Sequence, residues 1–175
     1  MTPEAPGEVA AGLAEAATVA LDCWASTLDP PGAPISRSGM VPGSEVADDE
    51  CCGQVTVTFV RSFFTTAFPD EAVEQTYGEP CVAAEFSVRL VRCVPGVTEG
   101  GVAPTDEVLA AAGAALAAEG VVMWAALRDH LGGAFDRDEF VLGPLEAEGP
   151  NGRCAGYTVT VTVDLGCLAS PPSCG

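Results

Sequence analysis

Two segments of the chain repeat apolar residues at three- and four-residue steps, which is the pattern of amphipathic helices. The first segment predicts a helix from about Pro6 to Leu28, and Pro30 and Pro31 end it because proline cannot continue a helix. Its apolar positions share one side of the helix: Val9, Leu13, Ala16, Ala20, Trp24 and Leu28.

The second helix begins after Pro104 and is the clearest element of the sequence. Thr105 is a suitable N-cap, Asp106 and Glu107 occupy the first turn, where carboxylates are favoured, and Gly132-Gly133 ends the run. Beside the core-facing side, Glu119 is predicted to reach solvent. Gly120 predicts either a close approach to the sheet or a break in the helix. The predicted core-facing ridge consists of Leu109, Ala112, Leu116, Gly120, Met123 and Leu127.

Alternation of apolar and polar residues predicts four strands in two antiparallel pairs. The first pair places Val55 to Val60 against the run 81–93, with the wide loop or distorted hairpin 62–80 between them. The second pair places Phe140 to Leu145 against the strand that begins at Cys154. Its second member directs one set of side chains to the core: Tyr157, Val159, Val161, Val163 and Leu165.

The resulting order, α-β-β-α-β-β, predicts an α+β fold with two helices on one face of a small antiparallel or mixed sheet of about four strands. Its 175 residues fit a single domain, residues 1–175. Residues 29–53, rich in Pro, Gly and Ser, are predicted to form an extended connector, and residues 168–175 a flexible tail. A connector of this length in a compact domain is often functional or ordered by a partner.

Charge is the strongest departure from average composition. The chain has 25 acidic residues against seven basic ones, all arginine, and a formal net charge of −18. The arginines are scattered along the sequence, so they do not form the cationic patch that nucleic-acid binding requires. We therefore expect no specific binding to DNA or RNA. The apolar segment near the amino terminus is broken by Glu15 and Asp22, and no stretch approaches a membrane span of roughly 20 apolar residues. We therefore expect a soluble chain, made in the cytoplasm, without a membrane partner.

The eight cysteines do not have the spacing of a zinc site, because no C-x-x-C pair occurs. Bonds within one strand are excluded by length: Cys81 and Cys93 are about 40 Å apart on an extended segment, and the same reasoning separates Cys154 from Cys167. Antiparallel pairing of the first two strands would bring Cys51 or Cys52 beside Cys93. The sequence leaves open whether these are buried thiols or a bond formed after cell lysis. The full set is Cys23, Cys51, Cys52, Cys81, Cys93, Cys154, Cys167 and Cys174.

Signals for chemistry are weak, and we expect no enzyme activity, catalytic residue, cofactor or metal. The single histidine, His130, stands near the end of the second helix, where it interacts favourably with the helix terminus; a Cys-His nucleophile pair is the alternative. Asp48, Asp49 and Glu50 lack the alternating ligand spacing of a calcium loop, so a solvated turn is favoured. Phosphate-loop, nucleophile-elbow and zincin motifs do not occur.

Several stretches together resemble a known family. The run MVPGSEVADDECCGQVTVTFVRSF, the upstream helix LAEAATVALDCW, the strand AEFSVRLVRCVP and the closing strand CAGYTVTVTVDLGC are similar to small neck and tail proteins of long-tailed phages that infect GC-rich actinobacteria. Within that group the chain most resembles the tail terminators, over roughly residues 8 to 167. The local signature is V-P-G-x-E-V-A followed by C-C-G-Q; an aromatic residue often stands beside the acids in the family, where this chain has Ala47 and Asp48.

The resemblance implies a structural virion protein. Terminators form a ring, typically a hexamer, that caps the tail tube, stops its polymerisation and joins it to the head–tail stopper or connector. Partners would be the chain itself, the tail tube protein and the connector, with DNA passing through the ring. A head–tail stopper, a minor tail protein and a secreted binding module held by disulfides are the alternatives.

Overall fold

The computed structural model describes residues 5–28, 33–41, 53–72, 81–97, 100–151 and 153–167. Two helices and six strands are formed by these residues. In chain order they are α1 (Pro6–Ser26), β1 (Arg37–Val41), β2 (Gln54–Ala67), β3 (Asp70–Glu71), β4 (Cys81–Cys93), α2 (Asp106–Ala134), β5 (Phe140–Asn151) and β6 (Cys154–Cys167).

The strands form one mixed sheet in the order β1-β2-β4-β6-β5, with β3 paired to β2. Only β1 and β2 are parallel among the described pairs; the others are antiparallel. The predicted α+β class and both antiparallel pairs are confirmed. The central register joins Phe86 of β4 to Phe59 of β2 and to Val161 of β6.

The predicted strand count and order were wrong in two places. The stretch 29–53, predicted to be an irregular connector, contains the edge strand β1, which is too short and too polar to show alternation. The stretch 62–80, predicted to be a wide loop or a distorted hairpin, forms the hairpin in its described part: β2 continues to Ala67, and β3, a strand that was not counted, folds back on it. The tail 168–175 lies outside the described residues.

Both helices pack on one face of the sheet, as predicted. α1 contacts β1 and β2 and lies over that edge, whereas α2 contacts β5 and β6 and lies over the other. The core between the layers combines Leu13 and Leu21 of α1 with Val57 of β2, Phe86 of β4 and Val161 of β6, all fully buried.

Alternation in the first half of β2 is typical of a strand with one buried face, yet both of its faces are buried. Thr56 and Thr58 point away from the helices, yet Thr56 is only 1% exposed. The Thr56 hydroxyl is buried, and no residue in the described ranges forms a hydrogen bond with it. Alternation predicts which residues share a face, but it does not predict whether the second face is covered.

Candidate interaction surface

The two halves of α2 have different surroundings. In the second half Gly120, Met123, Leu127 and Leu131 are buried against the sheet and α1. In the first half Val108 and Leu109 are 46% and 45% exposed. The predicted ridge is therefore correct in its periodicity but only its second half is buried within the domain.

The exposure has a geometric cause, since α1 and α2 run antiparallel. His130 of α2 lies against Gly12 of α1, where a Cβ would be 2.8 Å from the His130 Nε2 atom. Ser26, where α1 ends, is fourteen positions after Gly12, and Leu116 is fourteen positions before His130. The preceding residues of α2 extend about 15 Å beyond the end of α1. We call residues 106–116 the overhang.

The overhang presents an uncharged apolar stripe. Thr105 caps the helix, because its hydroxyl accepts a hydrogen bond from the Val108 N–H at 3.4 Å. Between Val108 and Ala118 no residue carries a charge. The spacing i, i+1, i+4, i+7, i+8 places five side chains on one side of the helix. These are Val108, Leu109, Ala112, Ala115 and Leu116.

An ion pair separates the two halves of α2. The Arg92 Nε donates to Glu119 Oε2 at 2.9 Å, and these side chains are 11% and 12% exposed. Arg92 Nη1 also donates to the Pro34 carbonyl at 3.2 Å, whereas Nη2 is buried and has no partner among the described residues. The prediction that Glu119 reaches solvent was wrong, because β4 ends beneath it and supplies an arginine. A cavity of about 180 Å³ lies under the overhang beside this pair.

A close contact fixes the buried half of α2. A Cβ on Gly120 would be 2.8 Å from Tyr157 Cδ2 and 3.0 Å from Leu145 Cδ2. The Trp124 indole N–H donates to the Gly143 carbonyl of β5 at 3.0 Å. Of the two predictions for Gly120, close approach to the sheet is therefore confirmed and a break is excluded.

By length and composition α2 could cross a membrane. It has 29 residues, a window with mean hydropathy of 1.7, and only 17% of that window is buried. The prediction that no stretch approaches the length of a membrane span was therefore wrong by this measure, because alanine, valine and leucine keep the mean hydropathy of the helix high despite Glu119.

A second apolar surface lies at the opposite edge of the helix layer. Val19 of α1 is 62% exposed and Met40 of β1 is 48% exposed. With Ala11, Thr18 and Ser38 they line a groove between α1 and β1 whose cavity is about 310 Å³; Glu15 lines it as well. The sequence did not indicate this α1–β1 groove, since β1 itself was not predicted.

The cysteines are brought together at the two ends of the β4–β6 pair. Cys81 and Cys167 face each other and form a disulfide. At the other end Cys93 faces Cys154, and both are disulfide-bonded. The within-strand bonds remain excluded, as predicted, but the cross-strand bond of Cys81 to Cys167 was missed. The predicted approach of Cys51 or Cys52 to Cys93 involves residues outside the described ranges.

The candidate Cys-His pair is not formed by the described cysteines. Cys23 is free and exposed. His130 lies against Gly12, and eleven residues of helix, about 16 Å, separate Gly12 from Cys23. Asp48, Asp49 and Glu50 lie outside the described ranges. Within those ranges no three His, Cys, Asp or Glu side chains are grouped to hold a metal ion.

Most of the few cations are neutralised by neighbouring carboxylates. Arg61 donates to Glu85 and Glu71 at 3.0 and 2.7 Å, and these hydrogen bonds, that to Glu85 foremost, raise the pKa of its guanidinium. Arg89 pairs with Glu148, and Arg128 pairs with Asp129. The exposed Arg37, at the start of β1, has no ion pair to any residue in the described ranges.

Comparison of the sequence with protein-family models and with curated proteins gives no match.

Proposed function

We propose that this chain is a structural subunit of a phage neck, a tail terminator that forms a ring on the tail tube, stops tube polymerisation and joins the tail to the head connector. The chain would assemble in the host cytoplasm and remain in the virion. The proposal starts from the sequence resemblance, and the structure adds one observation that carries it: the overhang.

The overhang favours an assembling protein over a solitary domain. Single exposed apolar residues are ordinary, but a continuous apolar stripe on a helix marks an interaction surface. In a chain with a net charge of −18 this uncharged stripe is also a place where an acidic partner meets no repulsion. A subunit that binds its neighbours in a ring requires such a surface.

The charge distribution suits a ring through which DNA passes. Arg61, Arg89, Arg92 and Arg128 are each paired with a carboxylate. Cations that are already paired release few counterions from a passing duplex, so they add little affinity for it. The acidic surface would let DNA pass without retaining it.

Deletion of the gene from the phage that carries it tests the proposal. We expect filled heads together with separate tails of uncontrolled length, visible by negative-stain electron microscopy, because nothing then caps the growing tube. Complementation with the full chain should restore the length. Tails of normal length that fail to attach would instead indicate a head–tail stopper, and normal virions would exclude any essential neck role. Tails that are joined to heads but are malformed or non-infectious would favour a minor tail protein.

A secreted binding module is the second candidate, and the oxidised cysteines favour it. Cys81–Cys167 closes a loop with a sequence separation of 86, and Cys93 and Cys154 are also bonded. Such crosslinks are typical of proteins from oxidising compartments. Mass spectrometry of unreduced protein, alkylated at the moment of lysis, separates the two: free thiols at Cys81 and Cys167 favour cytoplasmic assembly, whereas bonded thiols in the culture medium favour secretion.

A further inference from the structure

The overhang and the α1–β1 groove are complementary surfaces that one chain cannot bring together. The overhang extends past the end of α1 at the α2 side of the helix layer, whereas the groove lies at the β1 edge, on the other side of α1. Each is apolar and exposed in the same domain. Contact between them therefore requires two copies.

The overhang and the α1–β1 groove have similar lengths. The wall of the groove runs from Ala11 to Val19 of α1, which is about 12 Å of helix, and the part of the overhang beyond α1 is about 15 Å long. The small side chains Ala112 and Ala115 on the overhang, and Ala11 on the groove wall, allow two helices to approach closely.

The charges of the overhang and the groove are complementary as well. Asp106 and Glu107 stand at the tip of the overhang, and Arg37 stands beside Ser38 at one end of the groove. α1 runs antiparallel to β1, because Asp22 near its end accepts a hydrogen bond from the Ile35 N–H at 2.7 Å. Arg37 is therefore at the Val19 end of the groove. Glu15 lies further along the groove and is exposed.

We propose that the overhang of one subunit occupies the α1–β1 groove of the next, with Asp106 and Glu107 against Arg37. The inference rests on the proposed function, since it names the subunit contact of the proposed ring. The contact joins two different surfaces, so it repeats head to tail, and a closed ring results when the rotation between neighbours divides a full turn.

Three valine-to-glutamate variants of the full chain test the contact. Val108→Glu places a charge on the overhang, and Val19→Glu places the same charge in the groove. Val121→Glu is the matched control: Val121 is 61% exposed on α2, but five residues after Leu116 it falls on the other side of the helix. Since all three positions are exposed, circular dichroism should show three folded proteins.

Self-association is measured by sedimentation velocity from micromolar to millimolar concentration, alone and with tail-tube subunits. We expect Val108→Glu and Val19→Glu each to weaken association at least about 100-fold, because each places a carboxylate in the apolar part of the contact, and Val19→Glu also sets it close to Asp106 and Glu107 of the neighbour. Val121→Glu should assemble like the natural chain.

Mixing the two interface variants provides the most specific test of the contact. A Val108→Glu chain keeps an intact groove and a Val19→Glu chain keeps an intact overhang, so an equal mixture should form a dimer of two 17.7 kDa chains and nothing larger. Arg37→Glu should weaken association about fivefold, and adding Asp106→Arg and Glu107→Arg to that chain should restore it.

The outcomes separate this inference from the proposed function. A natural chain that forms rings, with the two interface variants assembling equally well, would overturn the contact and leave the terminator proposal standing. A chain that stays monomeric at every concentration and on tail tubes would remove both. Binding of the natural chain to anionic or neutral phospholipid vesicles, lost in Val108→Glu, would show that the overhang meets a membrane and would also overturn the contact.

Discussion

The two halves of α2 share one apolar repeat but have different surroundings. Both have the same apolar repeat, from Leu109 to Leu127, and both are rich in alanine. The second half closes the core with Met123, Leu127 and Leu131, while the first half leaves Val108 and Leu109 nearly half exposed. The difference lies in what stands opposite the helix, since α1 ends at Ser26.

Helical periodicity therefore indicates that one face of a helix becomes buried. It does not indicate whether the same chain or a neighbouring chain covers that face. A helix that packs within its own domain and one that packs on a neighbour require the same stripe. In this protein one continuous stripe serves the fold along the second half of α2, and we propose that it serves assembly along the first half. The Arg92–Glu119 pair lies where the two roles meet.

The largest difference between the two halves of α2 is expected when aspartate replaces a leucine in each half. Leu127→Asp should unfold the domain, because an unpaired buried carboxylate costs several kcal/mol against a total stability of about 5–15 kcal/mol. Leu109→Asp, at a residue that is 45% exposed, should change stability by less than about 1 kcal/mol. Circular dichroism and urea denaturation measure both. A folded Leu127→Asp protein, or an unfolded Leu109→Asp protein, would show that the halves are not different in the way described.

The next largest effect is expected at the junction of the halves. Glu119→Ala leaves the guanidinium of Arg92 in a largely buried position with only the Pro34 carbonyl as a described acceptor. Breaking a buried pair in this way typically costs about 3–5 kcal/mol, and we expect the lower end of that range. Urea denaturation measures the loss.

An apolar replacement of both partners is the control for that variant. Arg92→Met combined with Glu119→Leu should recover most of the stability, because no charge is then left buried without a partner. If the double variant is as unstable as Glu119→Ala, packing of the two side chains, and not their charge, determines the stability at the junction.

The sequence predicted what depends on local pattern. The capped start of α2 at Thr105, its end near Gly132-Gly133, and the inward face of β6 follow from spacing and turn chemistry. It could not predict β1, because Arg37–Val41 is short and pairs in parallel with β2 across the stretch that follows it. The α1–β1 groove depends on that strand, so it was missed with it.

Glu119 shows a second limit of local reasoning. Helical spacing places it beside the ridge, where a carboxylate normally reaches water, and nothing nearby in sequence indicates a cation. Arg92 approaches it from the end of β4, 27 residues earlier. The apolar periodicity of each element does not indicate a contact between two elements that are distant in the chain.

Two glycine substitutions, one in each half of α2, are expected to have smaller effects of opposite sign. Gly120→Ala should destabilise the domain by about 1–3 kcal/mol, because its Cβ would lie 2.8 Å from the ring of Tyr157 and the core cannot expand freely. The higher helix propensity of alanine offsets only part of this cost. Thermal denaturation should show a lower midpoint. An unchanged or higher midpoint would mean that α2 does not approach the sheet as closely as described.

Gly113→Ala is the matched change in the exposed half, and we expect the opposite sign. A Cβ on Gly113 has no atom within 4 Å, so alanine meets no obstacle there. Replacing an exposed helical glycine by alanine restricts the unfolded chain and favours the helix by about 0.5–1 kcal/mol. For a domain of this size that gain corresponds to a rise of about 1–4 °C in the thermal midpoint. The measurement uses dilute protein so that association does not contribute. A fall in the midpoint would show that something within the same chain covers the overhang, and the contrast between the two halves of α2 would then be lost.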